Sequence, residues 1–245
     1  MSVPVIVAIA LGTALSGFSK TGIPVAGMLA ATILAGVLGP TAASGFLVPL
    51  LIVGDLIALA LYRQHADWGL IRRITPGVLG GFLLAGLGFW LLPVPLLTRL
   101  LGALLLVAVG LEAWRIRTSV EAGAQGSGWV AAATFGSLAG VTTMAANAGS
   151  AALTIYLVKM RVPVLAFMGT SAWFFAILNV LKVPVILALG LTTWSTLGVS
   201  AMFLPALLAG AALGWFLVKR VDRQRFTRIG LILSALGATW LLVHG

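Results

Sequence analysis

The chain of 245 residues has no cysteine, only five acidic residues and only two histidines. Without cysteine there can be no disulfide, thiol chemistry or cysteine-ligated metal. The histidines, His65 and His244, do not belong to a cluster of metal-ligating residues in the sequence. We find no paired carboxylates, no nucleophile with its base and no phosphate-binding loop. The sequence therefore predicts no catalytic residue, no metal site and no cofactor, and we expect that the protein is not an enzyme.

Charge of either sign is scarce. Charged residues make up 8% of the chain and hydrophobic residues 61%, whereas soluble domains are about 25% charged. The apolar runs are continuous rather than alternating, which favours membrane helices over a barrel. The net charge of +10 comes from basic residues in short loops between apolar runs, a pattern that sets membrane orientation and does not indicate nucleic acid. The sequence predicts an all-α, polytopic inner-membrane helical bundle.

Ten apolar segments follow one another along the chain. Several are shorter than the roughly 20 residues that a straight spanning helix needs. The short ones form adjacent pairs, 3–18 with 24–38 and 129–143 with 147–158, and each pair is either two thin spans or one re-entrant hairpin. The segments are 3–18, 24–38, 44–62, 74–92, 96–114, 129–143, 147–158, 165–187, 195–218 and 227–243.

The two halves of the chain match each other. Gly12, Gly45 and Asp55 pair with Gly136, Gly169 and Asn179 at an offset of 124 residues, and later matches such as Thr98-Arg99 with Thr227-Arg228 have an offset of 129. Five segments per half is an odd number, so the halves would insert in opposite directions. Inverted repeats with broken helices are typical of secondary transporters. We therefore predict two inverted five-segment repeats, at 1–118 and 129–245, joined by a linker at 119–128 within one transmembrane domain.

Positive charges predict the orientation. The loops after the third, fifth, seventh and ninth segments, with their edges, carry 12 of the 15 basic residues; the other three are Lys20, Arg99 and Lys182. The positive-inside rule makes that side cytoplasmic. We expect a multi-pass protein of the bacterial inner membrane with both termini on the periplasmic side.

A lysine interrupts the first short pair, in the stretch Gly17-Phe18-Ser19-Lys20-Thr21-Gly22-Ile23-Pro24. A charge at membrane depth normally faces a bundle interior or a substrate path. If a helix starts near Thr21, its free N–H groups, the hydroxyls of Ser19 and Thr21, and the Lys20 ammonium suit an oxyanion. The alternative is that Lys20 extends to the cytoplasmic interface from a helix end. We favour an anion site made of Ser19, Lys20, Thr21 and Gly22.

The second short pair has a corresponding break around Thr142, Thr143, Asn147 and Gly149. It carries no charge, but hydroxyls and an amide surround small residues. Close helix packing alone would explain such a composition. Its position opposite the Lys20 motif favours a second half of the same substrate site.

Three further polar residues lie within apolar segments. Asp55, in the third segment, is a proton-coupling carboxylate, a counter-ion of Lys20 or Lys182, or the cap of a broken helix. Asn179 is its counterpart in the eighth segment, and Lys182 follows three residues later on the same helical face. For Lys182 alone we favour a side chain that reaches the outer interface near Pro184 over a place in the site.

At these residues the sequence resembles the sulfite exporter TauE/SafE family of bacterial permeases over nearly its whole length. The resemblance implies transport of small sulfur-containing or organic anions, such as sulfite and sulfonates, and the outward direction comes only from it. It depends on residues 17–24, 62–68, 143–148 and 167–175, with Asn179 and Lys182.

The leading hypothesis is therefore an ion-gradient-coupled exporter of a small anion, held at helix breaks near the membrane midplane. A passive anion channel would use the same donors without a coupling residue and remains the alternative. The expected partners are the anion, the lipid bilayer and a coupling proton or sodium ion. A homodimer is left open, and nucleic acid is not expected.

Overall fold

The computed structural model describes residues 2–22, 25–118, 128–217 and 223–244. Within these ranges the chain forms eleven α-helices and a short 3-10 helix at Arg63–His65, with no β-strand, which confirms the all-α prediction. The helices are α1 (Val3–Thr21), α2 (Val25–Leu38), α3 (Pro40–Tyr62), α4 (Trp68–Leu91), α5 (Val94–Thr118), α6 (Gly128–Ala146), α7 (Ser150–Lys159), α8 (Val164–Ala188), α9 (Trp194–Met202), α10 (Leu204–Leu217) and α11 (Arg223–His244).

Some predicted features lie outside the described residues. These are Ile23 and Pro24 of the first break, the linker at 119–128 apart from Gly128, and the basic residues Lys219 and Arg220.

Several helices can cross a bilayer. In the described part of the chain, five helical stretches are long and apolar enough, and the pair α9 and α10 raises the number to six if it counts as one span. Shorter apolar helices lie at Ala26–Leu38, Ser150–Lys159 and Arg228–Val243. Large apolar side chains cover the outside, as at Leu83 and Leu84, each 68% exposed. Such a surface suits lipid rather than water, and the protein is a multi-pass membrane protein.

The two short pairs contain longer first helices than the sequence predicts. Both α1 and α6 have 19 residues, and α1 continues through Gly17 and Lys20 to Thr21. The conditional expectation of a helix start near Thr21 is wrong, because the helix ends there and the next begins at Val25. In a bilayer each unpaired backbone group is costly, so helix persists through glycine and serine when packing permits.

The second break has a clear local cause. The backbone of Asn147 adopts φ +53°, a left-handed conformation that ends a helix and that asparagine tolerates better than most residues. Its N–H still donates to the Thr143 carbonyl at 3.1 Å, and the Ala148 N–H donates to the Thr142 carbonyl at 3.1 Å. Two carbonyls near the end of α6 are thereby satisfied before α7 begins at Ser150.

The predicted ninth segment, 195–218, is not one helix. It divides at Phe203 into α9 and α10, whose axes differ by 46°. Pro205 is the second residue of α10; it has no N–H to donate, and its ring opposes a continuous helix across this point. Its counterpart Pro76 lies inside the unbroken helix α4. The helix is therefore interrupted beside Pro205 but not at Pro76.

Glycines allow the closest helix contacts. Helix α1 packs along α10, and α4 packs along α6. A Cβ atom at Gly210 would overlap the carbonyl oxygen of Ala14, and one at Gly81 would overlap the carbonyl oxygen of Ser137. Small residues at such crossings let helix backbones approach closely inside a membrane. Helix α3 packs against α8, and α5 against α11.

Candidate functional site

Lys20 lies in the last turn of α1 and forms an ion pair across the bundle. Its Nζ donates to Oδ1 of Asp55 on α3, and it also lies 5.0 Å from the ring centroid of Phe175 on α8. A cation at a helix C-terminus is favoured by the helix dipole. Lys20 thus lies at the negative end of the α1 dipole. The sequence analysis expected instead the positive end of a helix that starts near Thr21.

Asp55 connects three helices. Its side chain is 2% exposed, and its second oxygen, Oδ2, accepts a hydrogen bond of 2.5 Å from Nδ2 of Asn179 on α8. Both carboxylate oxygens are therefore occupied, one by Lys20 of α1 and one by Asn179. Of the two lysines considered as its counter-ion, Lys20 is the one that pairs with it.

Lys182 forms a similar contact at the second break. Its residue is 1% exposed, and its Nζ donates to the carbonyl oxygen of Thr143 and, at 2.5 Å, to Oδ1 of Asn147. The prediction that the Lys182 side chain reaches the outer membrane interface is wrong, because the side chain points inward and its ammonium group bonds at the end of α6. The repeat gives no signal for this contact, because the offset of 124 residues pairs Lys182 with the apolar Ala58.

Both breaks face one cavity of about 90 Å³. A single water needs only about 10–15 Å³ by this kind of measure, so the space suits several waters or a small ion. Seven of the predicted site residues line it: Ser19, Lys20, Gly22, Asp55, Thr143, Asn147 and Asn179. The cavity is therefore where the two motifs, distant in sequence, come together.

Four predicted residues do not line this cavity. Thr21 donates its hydroxyl to the Ala211 carbonyl of α10 at 2.7 Å, and Thr142 donates to the Leu138 carbonyl at 2.6 Å. A Cβ atom at Gly149 would overlap the Thr143 hydroxyl. Thr21 thus connects α1 to α10, Thr142 bonds within α6, and Gly149 lets the start of α7 approach Thr143. The fourth residue, Lys182, donates to the lining residue Asn147.

The cavity also contains hydroxyls that the sequence analysis did not select. Ser16 lies one helical turn before Lys20, Thr154 lies one turn after Ser150, and Ser171 comes from α8. Ser16 could have been found from its spacing of four residues from Lys20, which places both side chains on one helix face; Ser150, which also lines the cavity, was not selected either. The Oγ1 atom of Thr143 is buried and has no hydrogen-bond partner among the described residues. The lining thus offers polar atoms on several sides.

The two ends of the cavity differ. At one end it reaches Tyr62, the last residue of α3, and Phe167 and Met168 near the start of α8, which are partly exposed. At the other end it is bounded by Leu47 and Leu51, which are buried. The cavity therefore extends from the breaks toward the end of the bundle at Tyr62.

Comparison with models of known protein families gives a match over nearly the whole chain. The family model of the sulfite exporter TauE/SafE family matches residues 3–241. Neither the curated proteins nor the solved structures contain a match to the chain.

Proposed function

Because the chain belongs to the sulfite exporter TauE/SafE family, we propose that it is a secondary transporter that exports a small anion such as sulfite or a sulfonate. The family is one of membrane transporters of the sulfite or sulfonate type. The observation that carries the proposal is the shared cavity, where a lysine, hydroxyls and an amide from two helix breaks converge.

The first half of the anion site is Lys20 with its neighbours. An ammonium has three N–H donors, and Asp55 accepts from one of them. The remaining donors are available to an anion in the cavity that Lys20 lines. The Ser19 hydroxyl already donates to the Ser16 carbonyl at 2.7 Å, so it does not supply a donor to an anion unless it rotates.

The second half of the anion site is the start of α7. Ser150 is the first residue of this helix and lines the cavity, with Thr154 one turn further on. The first N–H groups of a helix have no partner within it and attract anions. The Thr143 hydroxyl, buried and without a described partner, lies beside them. These groups support a site completed by both halves of the chain.

An inverted repeat would explain the pairing of helices. In that arrangement α1 corresponds to α6, α3 to α8, and α4 to α9 and α10, so the contact of α1 with α10 corresponds to that of α6 with α4. The matched residues Asp55 and Asn179 contact each other, as residues beside a two-fold axis would. The contact of Gly210 with Ala14 repeats, to within one residue, as that of Gly81 with Ser137. These correspondences support two repeats at 1–118 and 129–245.

The basic residues support a bacterial inner-membrane orientation. Arg63 and Arg73 flank the turn between α3 and α4, and Arg73 lies 5.7 Å from the ring of Trp129 at the start of α6. Lys159 is the last residue of α7, a few residues before α8 begins. By the positive-inside rule this end is cytoplasmic and both termini are periplasmic. The cavity then opens toward the cytoplasm at Tyr62, which suits an exporter that loads its anion there.

Reconstituted protein can test the proposal directly. Purified transporter in liposomes should bind and move sulfite, thiosulfate, sulfoacetate or a related anion, and the anions should be compared in one screen. Lys20→Met should reduce affinity about 30-fold to a few thousand-fold, because losing one charge of a buried pair costs about 2–5 kcal/mol. Lys159→Met is the matched control, since Lys159 lies outside the cavity lining.

Equal transport by the two lysine variants would contradict the site, and absence of any anion transport by the parent protein would contradict the function. A flux that ignores every ion gradient would instead indicate a passive channel.

A further inference from the structure

The polar cluster at the two breaks holds two lysines and one carboxylate among its described residues. Lys20 and Asp55 form an ion pair that is neutral as a whole. Lys182 has two described acceptors, the Thr143 carbonyl and the Asn147 amide oxygen, and both are uncharged. The two lysines are therefore not equivalent, although both contact the lining of the same cavity.

The surroundings of Lys182 make its protonation depend on whether an anion occupies the cavity. A buried ammonium that has only neutral acceptors is costly, because dipoles replace only part of the lost hydration. An amine without the extra proton can still donate two hydrogen bonds to the same acceptors. An anion beside Asn147 would supply the negative charge that this lysine lacks.

Other titratable groups around α8 come from five elements. Helix α1 brings Lys20, α3 brings Asp55 and Tyr62, the 3-10 helix brings Arg63 and His65, α4 with its N-cap brings Asp67, Arg72 and Arg73, and α7 brings Tyr156 and Lys159, whereas residues 128–146 of α6 contain no titratable side chain.

Most of these groups lie at the far end of α8. Gly169 packs against Tyr62 and His65, and Lys182 comes 13 residues later in the sequence, which is about 20 Å along a helix. Asp55 is linked to this end of α8 through Asn179, one turn before Lys182, and Lys20 already neutralises it. No group on these neighbouring elements replaces the missing anion.

We propose that Lys182 takes up one proton when an anion binds in the cavity and releases it when the anion leaves. The N–H bond forms at Nζ with a proton from water on the side to which the cavity is open, and it breaks on the other side. An anion with one negative charge would then cross with one proton and no net charge. The inference builds on the proposed function and names the ion that accompanies the anion and the residue that carries it; net export then follows the outward concentration gradient of the anion.

The test measures protons rather than transport. Calorimetric titration of the purified protein with sulfoacetate, in buffers of different ionisation enthalpy, gives the number of protons bound per anion. Sulfoacetate is chosen because its acid groups stay ionised near neutral pH. We expect close to one proton per anion at about pH 8.5 and fewer at about pH 5.5, since Lys182 would already carry its proton in acid. Should sulfoacetate not bind, methanesulfonate is used in the same way.

Variants assign the proton to a residue. Lys182→Arg keeps a positive charge that does not titrate, so it should bind the anion with no proton uptake. Lys159→Arg, outside the cavity, is the matched control and should keep the parent's proton count.

Two results would overturn the inference while leaving the proposed function intact. The first is anion binding by the parent protein without proton uptake at either pH, which needs no variant to fold. The second is uptake that persists in Lys182→Arg and disappears in Asp55→Asn, which would assign the proton to the carboxylate. A parent protein that binds none of the anions would overturn the proposed function and this inference together.

Discussion

Two variants can distinguish the contribution of the Lys20–Asp55 ion pair to stability from its contribution to anion binding. The Asp55 side chain is 2% exposed and that of Lys20 is 12% exposed. Lys20→Met therefore leaves a buried carboxylate whose remaining described partner is Asn179. Breaking a buried pair in this way costs about 3–5 kcal/mol. In a chain of this size that lowers the Tm by about 6–20 °C, at about 2–4 °C for each kcal/mol.

The double variant Lys20→Met, Asp55→Asn should recover most of this loss. It buries no unpaired charge, and the amide introduced at position 55 can still bond to Asn179. Anion binding should not recover, because the cation is still absent. Intrinsic fluorescence of the 8 tryptophans can follow unfolding at one fixed scan rate, and calorimetry can follow anion binding. The interpretation is refuted if the double variant is as unstable as Lys20→Met, or if it binds the anion like the parent protein.

Two further results are expected. Gly210→Ala should lower the free energy of unfolding by about 1–3 kcal/mol, because the new Cβ overlaps the Ala14 carbonyl. Gly36→Ala, which has open space around it, should leave the Tm unchanged or slightly raised. Similar Tm values for the two variants would contradict the close packing. The chain has no cysteine, so single cysteines can be introduced as labels. Ser171→Cys should react with a membrane-impermeant maleimide added from the cytoplasmic side, and Leu51→Cys should not. Labelling of Ser171→Cys only from the periplasm would contradict the proposed orientation.

The sequence predicted the helical class from its long apolar runs. It also predicted much of the cavity, because a lysine within an apolar segment normally faces the interior of the bundle. It could not place the helix end at Thr21, since glycine and serine interrupt helices in water but are tolerated where every backbone group must bond internally. Lys182 was misjudged because its partner, Asn147, is remote in the chain and is turned toward it by a left-handed backbone. The bend at Phe203 was missed because Pro205 and Pro76 look alike in sequence, and only packing distinguishes them.

The close glycine contacts also limit how the protein can move. Helix α1, which carries Lys20, is in backbone contact with α10 from the opposite half of the chain, and α6, which ends just before Asn147, is in backbone contact with α4. Each half of the proposed site is thus in close contact with a helix from the other half of the chain. Closely packed helices slide past each other only slightly, and larger displacements need hinges. We expect a conformational cycle in which the α1–α10 unit moves against the α4–α6 unit, so that neither half of the chain rotates as a separate body.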